Sequence, residues 1–156
     1  MILDVGCGVP SRYHQSLKGE NVIHIDVDRT AVHLEVQCDA YNLPFQSNSF
    51  STVHASHILE HLDNPIKTIQ EMKRVSAKRV VINVPNASYF KWKNSSGGHI
   101  FSWNQYTLRN LLERYFGKVT INSTQRDFSK SRLRKAVSII LTRLHGHTEL
   151  TAICFK

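Results

Sequence analysis

Seven short apolar runs, separated by helical patterns and polar loops, constrain this chain more than any other feature. MILDV (residues 1–5) stops at Gly6-Cys7-Gly8, and NVIHIDV (21–27) carries an acid, Asp26, near its end. HLEVQ (33–37) follows within a handful of residues, which leaves room for only a very short crossover. FSTVHA (50–55), RVVINV (79–84), KVTINST (118–124) and ELTAICF (149–155) complete the set. Runs of this length, bounded by Gly, Pro, Asn or Asp, read as strands. Between them, Pro10-Ser11 opens a helix to about Leu17, with proline in the first turn where its missing N–H costs nothing. Asp63-Asn64 caps a second helix from Pro65, with Ile66, Ile69, Met72 and Val75 on one face. Residues 104–116 form a third, turning Leu108, Leu111, Leu112 and Tyr115 inward, and residues 129–144 a basic fourth. YNLPFQSNS (41–49) is a loop. Such alternation implies an α/β fold, a doubly wound, mostly parallel sheet of seven strands with helices on both faces. No repeat or linker interrupts it, so residues 1–156 read as one domain with a basic helical insertion at about 129–144.

In sheets of this kind ligands bind at the carboxyl ends of the strands, where the strand order reverses. After the first strand come Asp4, Gly6, Cys7 and Gly8. Glycines let a backbone approach a ligand closely, and a helix start offers N–H groups to an anion. A dinucleotide site would want a third glycine at position 11, which is Ser11. Asp26, 18 residues beyond Gly8, is placed to accept both hydroxyls of a ribose, and Asp39 to accept an adenine amino group. Two such acids without a pyrophosphate glycine point away from NAD, toward an adenosine-bearing ligand that lacks phosphates.

The strings LDVGCG (3–8), HIDVD (24–28), CDAYNLPFQSNSF (38–50) and ASHILEHLDNP (55–65) resemble, in order and spacing, the successive motifs of class I S-adenosylmethionine-dependent methyltransferases of the small type 11-like kind. GGHIFSWNQYTLRNLL (97–112) is similar to the segment after the family's fifth strand, so the resemblance covers essentially the whole chain. It implies a Rossmann-like fold, methyl transfer, and S-adenosylmethionine as cofactor. By resemblance, Asp4 and Gly6-Cys7-Gly8 cradle the methionine part, and Asp26, with Val27 beside it, the ribose. Asp39 and Ala40 take the adenine, while Ser56 and His57 line the sulfonium side. Pro10 and Ser51 depart from the pattern, and the one or two helices that usually precede the first strand have no counterpart here. That leaves the donor site more open, or covered by a loop, by another subunit, or by the 129–144 helix.

His57-Ile58-Leu59-Glu60-His61 also matches an inverted zinc-peptidase pattern, two imidazoles one turn apart beside a carboxylate. That site needs a downstream carboxylate on a second helix, and the second half of the chain offers only Glu113 and Glu149 as glutamates. The expectation is therefore no metal, the stretch serving as scaffolding of the cofactor site. A sulfonium donor already activates its methyl, so a general base is optional. His57, His61 and His99 are the candidates for catalysis, and Asn83, Asn86, His99 and Tyr106 for contact with the acceptor.

Charge bears on the acceptor. The net charge is +8, yet residues 1–78 hold 7 Lys/Arg against 9 Asp/Glu, and residues 79–156 hold 13 against 3. A basic second half suits an anionic partner such as nucleic acid, anionic lipid or a phosphorylated metabolite. A small or lipid-like acceptor is the leading reading. RNA or protein methylation through the basic half, and a donor-binding module with little independent catalysis, are the alternatives. YFKWK (89–93) interleaves aromatic and basic residues once, as RNA binding would ask. In SKSRLRKAVSIILTRL (129–144), Leu133, Val137, Ile140 and Leu144 share a stripe flanked by Arg132, Arg134 and Arg143. This helix either packs on the sheet or forms a cover with peripheral membrane contact. A second copy of the chain is a further candidate partner. Three cysteines, no basic leader and no apolar run near ~18 residues fit a cytoplasmic protein.

Overall fold

The computed structural model describes residues 1–8, 21–31, 33–87, 98–124 and 149–156. The helices expected at 11–17 and 129–144, together with Pro10 and the YFKWK stretch, lie outside them. The elements run β1 (Ile2–Val5), β2 (Val22–Asp26), β3 (Val36–Gln37), β4 (Phe50–Ser56), α1 (Pro65–Val75), β5 (Ser76–Pro85), α2 (Gln105–Leu112), β6 (Lys118–Thr124) and β7 (Glu149–Phe155). They form one seven-stranded sheet in the order β3-β2-β1-β4-β5-β7-β6. β1 to β5 pair in parallel, and β7 lies antiparallel between β5 and β6. The chain steps outward from β1 through β2 to β3, then returns to the far side of β1 with β4. The order reverses between β1 and β4, which is where a doubly wound sheet opens a crevice.

The central strands carry most of the core. Leu3, Val5, Val53, Ala55, Val80, Ile82, Leu150, Ala152 and Cys154 are fully buried. Burial pushes the thiol of Cys154 up to about 12 and that of Cys7 up to about 11, so both stay protonated at neutral pH. α1 begins where Asn64 accepts a hydrogen bond from Lys67 N, and it packs Pro65, Thr68, Ile69, Met72 and Val75 on the sheet. α2 opens on a capping box between Asn104 and Thr107 and buries Leu108 and Leu112. No helix among the described residues is long and apolar enough to cross a membrane.

Four expectations need correction. The third strand is two residues long, because His33 turns into the left-handed region (φ 61) and breaks the extended run. β5 begins at Ser76, directly at the end of α1 with no loop, and reaches Pro85. Ile66 is exposed, since it sits one residue off the stripe set by Pro65, Ile69 and Met72, and Thr68 takes its place. α2 ends at Leu112, although Phe116 beyond it is still buried.

Candidate active site

The turn after β1 depends on backbone conformations that favour glycine. Gly6 and Gly8 have φ of 73 and 64, and a Cβ on Gly6 would stand 2.7 Å from Ile58 Cδ1. Gly6 N and Cys7 N both donate to Ile25 O, at 2.9 and 3.0 Å, which fastens the turn to the end of β2. Asp26 completes the fastening: Oδ2 accepts from Gly8 N at 2.8 Å and Oδ1 from Asp28 N at 2.9 Å. Each carboxylate oxygen has a second lone pair, so Asp26 can still receive hydroxyl donors. Val27, next to it, is 69% exposed. Asp39 is exposed and accepts from Tyr41 N at 2.8 Å, with Ala40 half-buried between them.

Asp4 lies inside the sheet. It is fully buried, and its two oxygens lie 2.7 Å from His54 Nδ1 and 3.1 Å from His24 Nδ1. The parallel register sets this, aligning Asp4 with His24 of β2 and His54 of β4. Asn83 Nδ2 donates to His54 Nε2 at 3.2 Å, leaving Nδ1 of that ring to donate to Asp4. Burial alone would raise the Asp4 pKa, but the hydrogen bond and charge of His54, then those of His24, hold it below the usual carboxylate value. Asp4 thus supports the glycine turn from within the sheet.

A second group gathers where β4 ends. Ser56 is buried, and His57 follows with a φ of 55, donating its backbone N–H to Asn83 O at 2.9 Å. Its Nε2 lies 2.9 Å from Glu149 Oε1, and its Nδ1 lies 3.2 Å from Glu60 Oε1. Residues 57–61 form turns rather than a helix, so His57 and His61 do not make the one-turn imidazole pair of the peptidase pattern. His61 instead meets His99, their rings edge to face with centroids 4.6 Å apart. Burial lowers the His99 pKa, Glu60 partly opposes this, and His61 and His57 lower it further, which keeps the ring neutral near pH 7. Asn86 is buried and bridges to Trp103, and Tyr106 stands 73% exposed on the first turn of α2. Sequence reasoning missed His24, His54 and the His57–Glu149 contact. The two histidines carry a signal only once the strand register is known, and Glu149 arrives from the last strand with no local signal at all.

The model of the methyltransferase domain family matches residues 3–82, just over half of the chain. The chain belongs to that family. Among curated proteins, an uncharacterised protein of Methanocaldococcus jannaschii is 28% identical over 100 residues, covering 58% of this chain and 44% of its own length. The chain therefore spans less than half of that relative. An S-adenosylmethionine-dependent methyltransferase of Archaeoglobus fulgidus superposes with a TM-score of 0.67 at 20% identity, over 99% of this chain and 85% of that one. The phosphoethanolamine N-methyltransferase 2 of Haemonchus contortus, in complex with S-adenosyl-L-methionine, gives 0.67 at 15% identity, over 99% of this chain and 47% of that one. At these identities the likeness is one of fold. The cofactor of such a methyltransferase domain is S-adenosylmethionine. The residues present suit it: a glycine turn too close to Ile58 for a side chain on Gly6, with carboxylates at the next two strand ends.

Proposed function

We propose that residues 1–156 act as one S-adenosylmethionine-dependent methyltransferase domain that passes a methyl group to a small or lipid-like acceptor. The observation that carries this reading is the row of groups along one sheet edge, from the Gly6–Gly8 turn through Asp26 and Val27 to Asp39 and Ala40. When bound, the donor supplies a methyl activated by its sulfonium. The chain's own contribution is to bind and align. The glycine turn admits the donor's amino-acid end, Asp26 accepts the ribose hydroxyls, and Asp39 accepts from the adenine amino group while exposed Val27 offers the ring an apolar surface. His57, oriented by Glu149 and Glu60, lines the transfer side. Exposed Ile100 and Phe101, which follow His99, supply apolar surface on the acceptor side and support the small or lipid-like reading. Most basic residues of the second half lie outside the described positions, so RNA, protein and membrane partners rest on sequence alone.

Calorimetry with S-adenosylmethionine and S-adenosylhomocysteine tests the donor reading. The protein should bind both, and Asp26→Ala should weaken binding by about 1–3 kcal/mol through lost hydrogen bonds to the ribose. Absence of binding, or binding of NADH in their place, refutes the reading. A screen of acceptors with a methyl-labelled donor then identifies the substrate class.

A further inference from the structure

Methyl transfer leaves part of the His57–His61 motif without a task. Glu60 is 1% exposed, and its carboxylate is poorly matched: His57 Nδ1 lies 3.2 Å from Oε1 without hydrogen-bond geometry, and Oε2 has no hydrogen-bond donor among the described residues. A buried carboxylate with so little compensation is costly, and a bound cation is one way to offset it. The fold brings two imidazoles to this carboxylate. Ile100 N and Phe101 N both donate to Glu60 O, at 2.7 and 3.1 Å, and clip the segment that carries His99 onto residue 60. Gly98 (φ 66) allows the chain to turn there, and its carbonyl oxygen lies 3.4 Å from His61 Nδ1. As a result, one ligand atom each from Glu60, His61 and His99 lies within 4.8 Å of the others. Ligands ~2.0–2.2 Å from a shared ion stand about 3–4 Å apart, so ring rotations suffice to close the set.

We propose that Glu60, His61 and His99 form a site for a divalent transition metal of the zinc or manganese class. Two imidazoles and one carboxylate favour such ions over magnesium or calcium, which take oxygen ligands. Three protein ligands leave coordination positions open, as in catalytic metal sites. The site adjoins the glycine turn, since Ile58, two residues before Glu60, fills the space that a side chain on Gly6 would need. The open positions therefore suit an oxygen of the acceptor, and the acceptor class is one bearing hydroxyl or carboxylate oxygens. That last step rests on the methyltransferase reading; the metal site does not. The sequence argued against a metal because a peptidase site needs a carboxylate from a second helix. Here Glu60 is itself a ligand, and the third group is a histidine from the segment after β5.

The test uses the untagged chain, stripped with chelator and titrated with Zn2+ and with Mn2+ by calorimetry, with metal content measured after dialysis. One equivalent of at least one of the two ions should bind, and His61→Ala and His99→Ala should each weaken binding by about tenfold or more. His61 is exposed, so its replacement does not endanger the fold. Far-UV circular dichroism establishes that each variant is folded. No stoichiometric binding of either ion, or binding unchanged in both folded histidine variants, overturns the proposal. S-adenosylhomocysteine binding by the metal-free protein is measured alongside. Retained product binding without metal binding sinks only the metal site, whereas loss of product binding sinks the methyltransferase reading.

Discussion

Asp4 is a residue whose chemistry is inward. Its carboxylate joins His24 and His54 across three neighbouring strands, and it has no exposed surface. Breaking a buried charged contact by removing one partner costs about 3–5 kcal/mol, far more than a surface pair returns. Asp4→Asn should therefore lower the unfolding free energy by about 3 kcal/mol at pH 7, measured in urea. The pH dependence follows from the lowered pKa. An unfolded aspartate titrates near about 3.9, so the stabilisation is fully present above that value and is lost as pH falls through the folded one. The gap between wild type and variant should shrink as pH drops below about 4. A gap that stays constant down to acid would show that shape, and not charge, is what Asn loses.

At the scale of elements, α1 holds the loop that follows Asp39. Glu71 Oε2 accepts from Leu43 N at 2.9 Å, and Arg74 donates to Phe45 O at 2.7 Å and to Leu43 O at 2.8 Å. The two side chains also pair with each other at 2.7 Å, and the Arg74 guanidinium holds the Glu71 carboxyl below its usual pKa. Leu43 is buried by this arrangement, and Phe45 meets Phe50 edge to face at 5.0 Å. A planar fork satisfies two carbonyls and a carboxylate together, which a lysine ammonium cannot do in the same geometry. Arg74→Met should cost about 1–3 kcal/mol of stability. It should also weaken S-adenosylhomocysteine binding by loosening residues 39–45, and Arg74→Lys should recover little of either loss. Full recovery by lysine, read from denaturation and calorimetry, would mean that charge alone holds the loop.

For the whole molecule the decisive placement is β7. The last strand is inserted between β5 and β6, burying Leu150, Ala152 and Cys154 completely, and it carries Glu149 to His57. Lys156 then donates through Nζ to Asn48 Oδ1 and Ser76 O, tying the end of β7 to the start of β4 and β5. Deleting residues 149–156 would leave β6 without its strand partner and strip β5 of its hydrogen-bonding neighbour. The truncated chain should show no cooperative thermal transition by circular dichroism. A transition within a few degrees of the full chain would mean that β7 is peripheral.

Strand identity, the carboxyl-edge crevice and the acids at its rim were legible in the sequence, because each rests on local pattern: apolar runs about strand length, glycines at turns, carboxylates at strand ends. The residues of the His57–His61 motif were legible as well, but their arrangement was not. Helical spacing predicts His57 beside His61, whereas the left-handed turn at His57 separates them and directs His57 toward Glu149. Asp4 shows the same division. Its position beside a glycine turn was legible, but only the register that sets it opposite His24 and His54 reveals the buried contacts of its side chain. Local preferences select elements over a few residues. Which side chains meet across 92 residues of chain, as His57 and Glu149 do, is decided by strand order and by which contacts bury best together.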